Sequence, residues 1–278
     1  MSTLVFLAVL SAALMHAAWN ALIRSGENKQ AAMLVISAGQ AVVGLGFVVT
    51  RPMPAPEVWP WLLASGVIHM AYQLFLAFAY EQGDLSRVYP IARGAAPLMV
   101  TVFGLMFLSE DLRPTELAGI AVLGAGLMLM ARGVFTNGES LRLLPLALGS
   151  ATATAAYSIV DGLGARVSGD ALNYVGWLLL LATVFYVPAI IYLRGAQTIP
   201  RNPRSWVSGF VAGSIAFTAY AIVVWAMTQA PIPLVTALRE SSILFAVLIG
   251  ITVFGERFDR GKALAALLIL VGVIVTRL

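Results

Sequence analysis

The sequence predicts an all-α integral membrane protein: ten transmembrane helices arranged as two inverted five-helix repeats. Three observations carry that expectation. Hydrophobic residues make up 60% of the 278 positions and charged residues 11%, with a mean hydropathy of +0.91. Soluble domains carry about 25% charged residues, so a globule of this size would lack the charge to cover its surface. Apolar runs of about 20 residues, the length that crosses a bilayer core, recur along the whole chain. Finally, elements of the first half return in order in the second.

The first run begins almost at Met1. Met1-Ser2-Thr3 offers no positive n-region and similar runs follow at once, so it reads as a retained span and not as a signal peptide. Compact breaks rich in turn formers separate the runs: RSGENK (24–29), RPMPAPE (51–57), EQGD (81–84), SEDLRP (109–114), RGVFTNGESLR (132–142), RVSGD (166–170), RGAQTIPRNPR (194–204), QAPIP (229–233) and GERFDRG (255–261). They delimit helices at about 3–23, 30–50, 58–80, 85–108, 114–131, 143–165, 171–193, 205–228, 233–254 and 262–277. No break is long enough for a soluble domain, so residues 1–278 form one transmembrane unit.

Ala79, Gln82 and Val88 correspond to Ala226, Gln229 and Val235; after a one-residue slip, Glu110 and Gly126 correspond to Glu256 and Gly272. Like elements thus lie five helices apart, giving repeats of about 1–131 and 143–278. An odd number of helices per repeat inverts the second copy, and such repeats in transporters meet at a site near the midplane.

The net charge of +4 would suggest nucleic acid in a soluble protein, but here the basic residues lie mostly in short connections, where they set orientation. One set of breaks holds Arg24, Lys29, Arg132, Arg142, Arg194, Arg201, Arg204, Arg257, Arg260 and Lys262; the other, with the C-terminus, holds Arg51, Arg113, Arg166 and Arg277. The richer set belongs in the cytoplasm, which turns both termini outward. The chain has no cysteine, which excludes disulfides, thiol chemistry and thiolate metal sites.

Some polar residues sit where lipid would penalise them. His16, Trp19 and Asn20 share a face of the first helix at spacing i, i+3, i+4. His69, Tyr72 and Gln73 repeat the pattern in the third, with Tyr80 further along. The sixth has Thr154, Tyr157, Ser158 and Asp161 on one stripe, and the eighth adds Ser214, Thr218 and Trp225. Such groups face a bundle interior or a wet cavity, or they bond neighbouring helices; aromatics beside polar groups on three helices favour a shared cavity. Trp59 and Trp61 fit an interfacial belt. Asp161, near a helix end before GLGAR, reads as interfacial and solvated.

The fourth and ninth helices carry Pro90, Arg93 and Pro97 in VYPIARGAAP, and Arg239 and Glu240 in LVTALRESS. Proline frees a carbonyl and bends a helix. Arg93 and Glu240 each lie about eight residues inside their helices from opposite faces, within about 6 Å of each other along the membrane normal. An ion pair between them and a substrate-binding Arg93 are both open; Arg239 competes for Glu240, although adjacent helical residues do not face each other.

Two five-helix halves, each ending helix–turn–Glu–helix (FLSEDLRPTELAG and VFGERFDRGKALA), together with the opening HAAWN, resemble the EamA-type branch of the drug/metabolite transporter superfamily. The aromatic lining is similar to that of YddG-type exporters of aromatic amino acids. Ile243 where the first half has Pro97, and Ala265 where it has Gly119, depart from the repeat. The small multidrug members use a first-helix carboxylate for proton exchange; this chain has His16 there and no acid.

The resemblance implies a secondary transporter of a bacterial-type inner membrane. It would export small amphipathic metabolites, foremost aromatic or other amino acids, as a monomer without cofactor or metal and with only lipid and substrate as partners. His16, Trp19, Asn20, His69, Tyr72, Gln73, Tyr80, Arg93, Tyr157 and Trp225 are the candidate substrate-binding residues; Arg93, Arg239, Glu240, Pro90 and Pro97 are candidates for an ion pair or gate. Drugs or lipophilic cations are the alternative cargo. An intramembrane enzyme would need paired acids, HExxH or a Ser–His pair, and the two histidines lie on separate helices with no acid near them in sequence. A channel would need a filter sequence or symmetry about a pore, neither of which is visible.

Overall fold

A computed structural model describes residues 1–24, 29–82, 85–108, 110–131, 143–255 and 260–278, without the side chains of 23–24, 29, 80–82, 85–93, 131, 143 and 260. The expectations for Tyr80, Pro90 and Arg93 therefore concern side chains outside the described residues. All regular structure among the described residues is helical: α1 (Thr3–Arg24), α2 (Lys29–Thr50), α3 (Trp59–Gln82), α4 (Leu85–Phe107), α5 (Pro114–Ala131), α6 (Leu143–Ser168), α7 (Ala171–Arg194), α8 (Pro203–Gln229), α9 (Ile232–Arg239), α10 (Ser242–Phe254) and α11 (Arg260–Val275), with 3₁₀ turns at Pro56–Val58 and Ala196–Thr198. Every expected span is present within three residues of its expected bounds, one of them in two pieces.

Among the described residues, six stretches are long and apolar enough to cross a membrane: Thr3–Leu22, Gln30–Thr50, Pro56–Ala79, Ala171–Arg194, Pro203–Gln229 and Ile232–Phe254. Gly94–Phe107, Pro114–Met130 and Gly261–Val275 are shorter apolar helices. α6 belongs to neither group; Ser150, Thr152, Thr154, Ser158 and Asp161 interrupt its apolar sequence.

Local chemistry sets the ends. Gly169, at φ +68°, turns the chain between α6 and α7, and the Asp170 carboxylate then caps α7 by accepting from the amides of Leu172 and Asn173, both at 3.0 Å. α8 starts two residues earlier than expected, because Pro203 suits a first helical position and Asn202 accepts from the Arg204 amide at 2.9 Å. The expected continuous ninth span is corrected. It breaks after Arg239, where the amides of Glu240 and Ser241 bond the carbonyls of Ala237 and Leu238, and those of Ile243 and Leu244 bond Glu240 and Ser241. These i→i−3 bonds tighten the chain for one turn. α4 continues through both prolines; the Pro97 carbonyl accepts from the Thr101 hydroxyl at 2.8 Å.

Small residues draw the helices together. α2 crosses α7 and α8, α3 packs on α6 and α7, α1 on α8 and α10, and α5 on α11. A Cβ at Gly119 would lie 2.5 Å from Thr276 Cγ2 and 2.8 Å from the Gly272 carbonyl, so α5 and α11 meet backbone to backbone.

The connections after α2, α4, α6 and α8 gather at one end of the bundle. Arg51 pairs with Asp170, and the Asn173 amide donates to the Pro52 carbonyl at 2.9 Å. Arg166 reaches Glu110 at 2.9 Å and the carbonyls of Met227 and Ala230 at 2.9 and 3.2 Å. Arg277 donates to Thr3 Oγ1 and the Met1 carbonyl, both at 2.9 Å. Inside this end a dry layer including Val5, Val9, Met227, Ile232 and Leu234 fills the bundle.

Because Gly119 has no room for a methyl group, Gly119→Ala is expected to lower the stability of the detergent-solubilised protein by about 1–3 kcal/mol through overpacking. Gly46 has nothing within 4 Å of an added Cβ. Gly46→Ala should leave stability unchanged or raise it by up to about 1 kcal/mol, the helix-propensity difference. Thermal melts compare the two, and equal midpoints would contradict the close α5–α11 crossing.

Candidate functional site

A cavity lies between the dry layer and the end that carries the α1–α2 connection. α1 contributes Ala12, His16 and Trp19; α2 Met33, Ile36, Ser37 and Gln40; α3 His69, Tyr72 and Gln73; α6 Tyr157; α7 Leu179. α8 adds Ala216, Ala219, Tyr220 and Val223, and α9 ends on it with Arg239. The free space is about 90 Å³. Pockets that hold drug-sized ligands run to about 300–1,000 Å³, so a guest of that size enters only if wall side chains part.

The ring-bearing wall is built by helical spacing. The Trp19 indole donates to His16 Nδ1 at 3.2 Å, and the two rings meet edge to face at 5.0 Å. His69 lies flat on Tyr157, centroids 4.1 Å apart at 24°, with Tyr220 edge-on at 5.5 Å. Tyr72 stands edge-on to Tyr157 at 5.4 Å. Between α2 and α3 the buried Ser37 hydroxyl donates to Gln73 Oε1 at 3.4 Å.

Behind His69 the structure corrects the reading of Asp161 as a solvated interfacial group. α6 extends to Ser168, which sets Asp161 about 10 Å inside its end at 1.5 Å per residue, and it is 0% exposed. Its Oδ1 accepts from Ser65 and, at 3.3 Å, from the Tyr174 hydroxyl. Its Oδ2 accepts from Tyr220 and lies 3.0 Å from His69 Nε2. His69 therefore has an acid beside it in space, although none is near it in sequence. Ser65 bonds the acid and not the imidazole, so these three groups do not form the nucleophile–base–acid order of a hydrolase.

At the α9 end Arg239 and Glu240 are both buried, at 3% and 0% exposed. Arg239 Nη2 and Nε lie 3.3 and 3.4 Å from Glu240 Oε1, and the guanidinium sits 5.9 Å from the Tyr157 ring centroid. Neighbours on an unbroken helix would diverge by about 100°; the 3₁₀ turn at Glu240 lets these two meet.

Of the expected site residues, His16, Trp19, His69, Tyr72, Gln73, Tyr157 and Arg239 line the cavity. Asn20 does not; its amide donates to the His16 carbonyl at 2.7 Å. Trp225 packs between the two largest core clusters. Pro97 is buried within α4. The expected polar stripe on α8 is corrected: the hydroxyls of Ser214 and Thr218 bond the carbonyls of Phe210 and Ser214 at 2.9 Å, and Thr218 is exposed. A hydroxyl satisfied by its own helix can face lipid. Tyr220, Ser65, Tyr174, Ser37 and Gln40 were missed by sequence. The stripe Tyr157–Asp161 was the available signal for the acid.

Residues 2–132 and again 142–278 match the sequence pattern of the EamA-like transporter family. Over 82 residues the chain is 34% identical to an uncharacterized transporter in the cobO 3′ region of a Sinorhizobium species. That stretch is 29% of this chain and 57% of the relative, so the chain spans just over half the length of the curated relative it matches. A protein of known crystal structure shares the fold, with a TM-score of 0.78 and 20% identity, over 100% of this chain and 99% of that one. With the family's pattern covering nearly all of its length, the chain belongs to the EamA-like transporter family and is a multi-pass membrane protein.

Proposed function

We propose that the protein is a secondary transporter of YddG type, exporting small amphipathic metabolites, aromatic amino acids foremost, by alternating access through this cavity. The observation that carries the reading is the lining itself: the rings of Trp19, Tyr72, Tyr157 and Tyr220 with the guanidinium of Arg239 on one small space. Rings offer a π-face, a guanidinium suits a carboxylate, and Ser37, Gln40 and Gln73 offer amides and a hydroxyl to an amine. Arg93 is proposed as a further cavity-facing cation. A lipophilic-cation cargo is less well served, since Asp161 is screened from the cavity by His69 and Tyr220.

The doubled family pattern supports reading residues 1–131 and 143–278 as inverted repeats, and the pairing of α5 with α11 sets the last helix of each half together. The same reading places a monomer in a bacterial inner membrane with both termini outside.

Transport is measured as exchange of labelled amino acids in liposomes. Trp19→Ala, Tyr72→Ala and Tyr157→Ala should each weaken phenylalanine exchange about two- to tenfold, the worth of a ring contact of about 0.5–1.5 kcal/mol, and affect alanine exchange less. Three folded variants with wild-type phenylalanine exchange would sink the proposed site.

Topology is checked separately with single cysteines in this cysteine-free chain. Met53→Cys should react with an impermeant thiol reagent on intact cells and Gln197→Cys should not; both positions are exposed in the fold. The reverse pattern would invert the orientation.

A further inference from the structure

α8 presents two faces of different character. Ala216 and Ala219 line the cavity, and Trp19 packs on Ala212 and Ala216. The opposite face is bare: Val207 is 65% exposed, Phe210 and Val211 are 46% exposed, and Thr218 is exposed as well. Together with the half-buried Ser214, these positions fall on one side of a helix that turns about 100° per residue. Ser214 and Thr218 spend their hydroxyls on carbonyls of their own helix, so the whole strip suits hydrocarbon. Exposure stops there, since no residue of α8 from Ala219 to Thr228 is exposed. Val207 to Thr218 spans about 16 Å at 1.5 Å per residue. That is the acyl depth of one leaflet, half of a core about 30 Å thick.

Two cations stand at the head of this strip. Arg204 lies on the same side of α8, one turn before Val207, and Arg201 precedes the Asn202 cap. Both are exposed, and neither side chain has a partner among the described residues. No Asp or Glu occurs between Asp170 and Glu240, so the connection brings no acid of its own. The backbone that carries the arginines is fixed. Asn202 accepts from the Arg204 amide at 2.9 Å, Thr198 is buried, and the Trp206 indole donates to the Pro200 carbonyl at 2.9 Å. A half-exposed tryptophan beside arginines fits the level of the headgroups.

We propose that the outer half of α8 binds an anionic phospholipid, its phosphate on Arg201 and Arg204 and one acyl chain along Val207, Phe210, Val211, Ser214 and Thr218. Guanidinium groups suit phosphate oxygens, and basic residues at a membrane surface attract anionic lipids. Two arginines favour a net-negative headgroup over a zwitterionic one, and the apolar strip below them favours a lipid over free phosphate. The wall is one helix thick here, so the acyl chain backs the part of α8 whose inner side is Ala216 and Ala219. The site is independent of what the cavity carries.

The test places the purified full chain in mixed micelles with equal phosphatidylglycerol and phosphatidylcholine of the same acyl chains, and counts bound lipid by native mass spectrometry. Wild type should retain phosphatidylglycerol over phosphatidylcholine about five- to thirtyfold, the worth of two arginines near a membrane surface. Arg201→Gln/Arg204→Gln should bring that ratio below about two, whereas Arg201→Lys/Arg204→Lys should keep most of it. Both side chains are exposed, so the fold does not depend on them. Arg194→Gln should leave the ratio unchanged, because that guanidinium lies over the Phe78 ring, 4.6 Å from its centroid. Equal retention of the two lipids by wild type, or an undiminished ratio in the double glutamine variant, overturns the site. A fall in Arg194→Gln as large as in the double variant would reduce the preference to bulk charge and overturns it as well. Displacement of the lipid by inorganic phosphate, or a lipid-free dimer, gives the arginines or the strip to another occupant and has the same consequence.

Discussion

One carboxylate in an apolar bundle constrains the rest of this structure. Asp161 has no water to ionise into, and an uncompensated charge at that depth would cost several kcal/mol. Its compensation comes from three different helices: Ser65 and His69 on α3, Tyr174 on α7 and Tyr220 on α8. Ser65 and His69 are four residues apart and so present one face. Meeting all four donors fixes the rotation of α3, α7 and α8 about α6. It also sets His69 and Tyr220 on the cavity wall, so electrostatic satisfaction and site geometry are one arrangement.

The second membrane charge pair is handled by breaking a helix. α9 ends at Arg239 and α10 begins at Ser242. The C-terminal end of a helix carries partial negative charge and the N-terminal end partial positive charge. Arg239 therefore sits at the end that favours a cation, and Glu240 precedes the end that favours an anion. An unbroken helix would have offered neither field at midspan and would have pointed the two side chains apart. Discontinuous helices of this kind place charged groups at depth in transporters while their backbone stays satisfied.

The sequence revealed the helices better than their faces. Span limits follow from hydropathy and from glycine, proline and Asx residues at the turns, which act locally, and every span came within three residues. The polar stripe on α3 was readable because His69 and Gln73 take their partners from other helices, Asp161 on α6 and Ser37 on α2. The α8 stripe misled because Ser214 and Thr218 satisfy themselves within their own helix, by bonding carbonyls one turn back. Asp161 was legible as part of a stripe but not as buried, since that depends on Gly169 delaying the end of α6 and on which helices pack against it. The break at Glu240 carries no glycine or proline; it follows from two charges needing opposite helix ends, a tertiary matter. Pro90 and Pro97, the stronger local signals, lie in a helix that runs on.

The contacts along the bundle differ in energy. At the end of the bundle that carries Arg51 and Asp170, that pair has side chains 33–41% exposed, whereas Glu110 beside Arg166 is only 8% exposed. Exposed pairs are worth about 0–1 kcal/mol each, since water replaces what is lost. Parting the Asp161 cluster would strand a buried charge and leave three hydroxyls and an imidazole without their acceptor, at about 1–3 kcal/mol for each unsatisfied group. The dry layer between them resists only in proportion to the apolar area it would expose. The fold thus keeps its densest cluster of buried bonds inside α3, α6, α7 and α8, around the ring-lined wall.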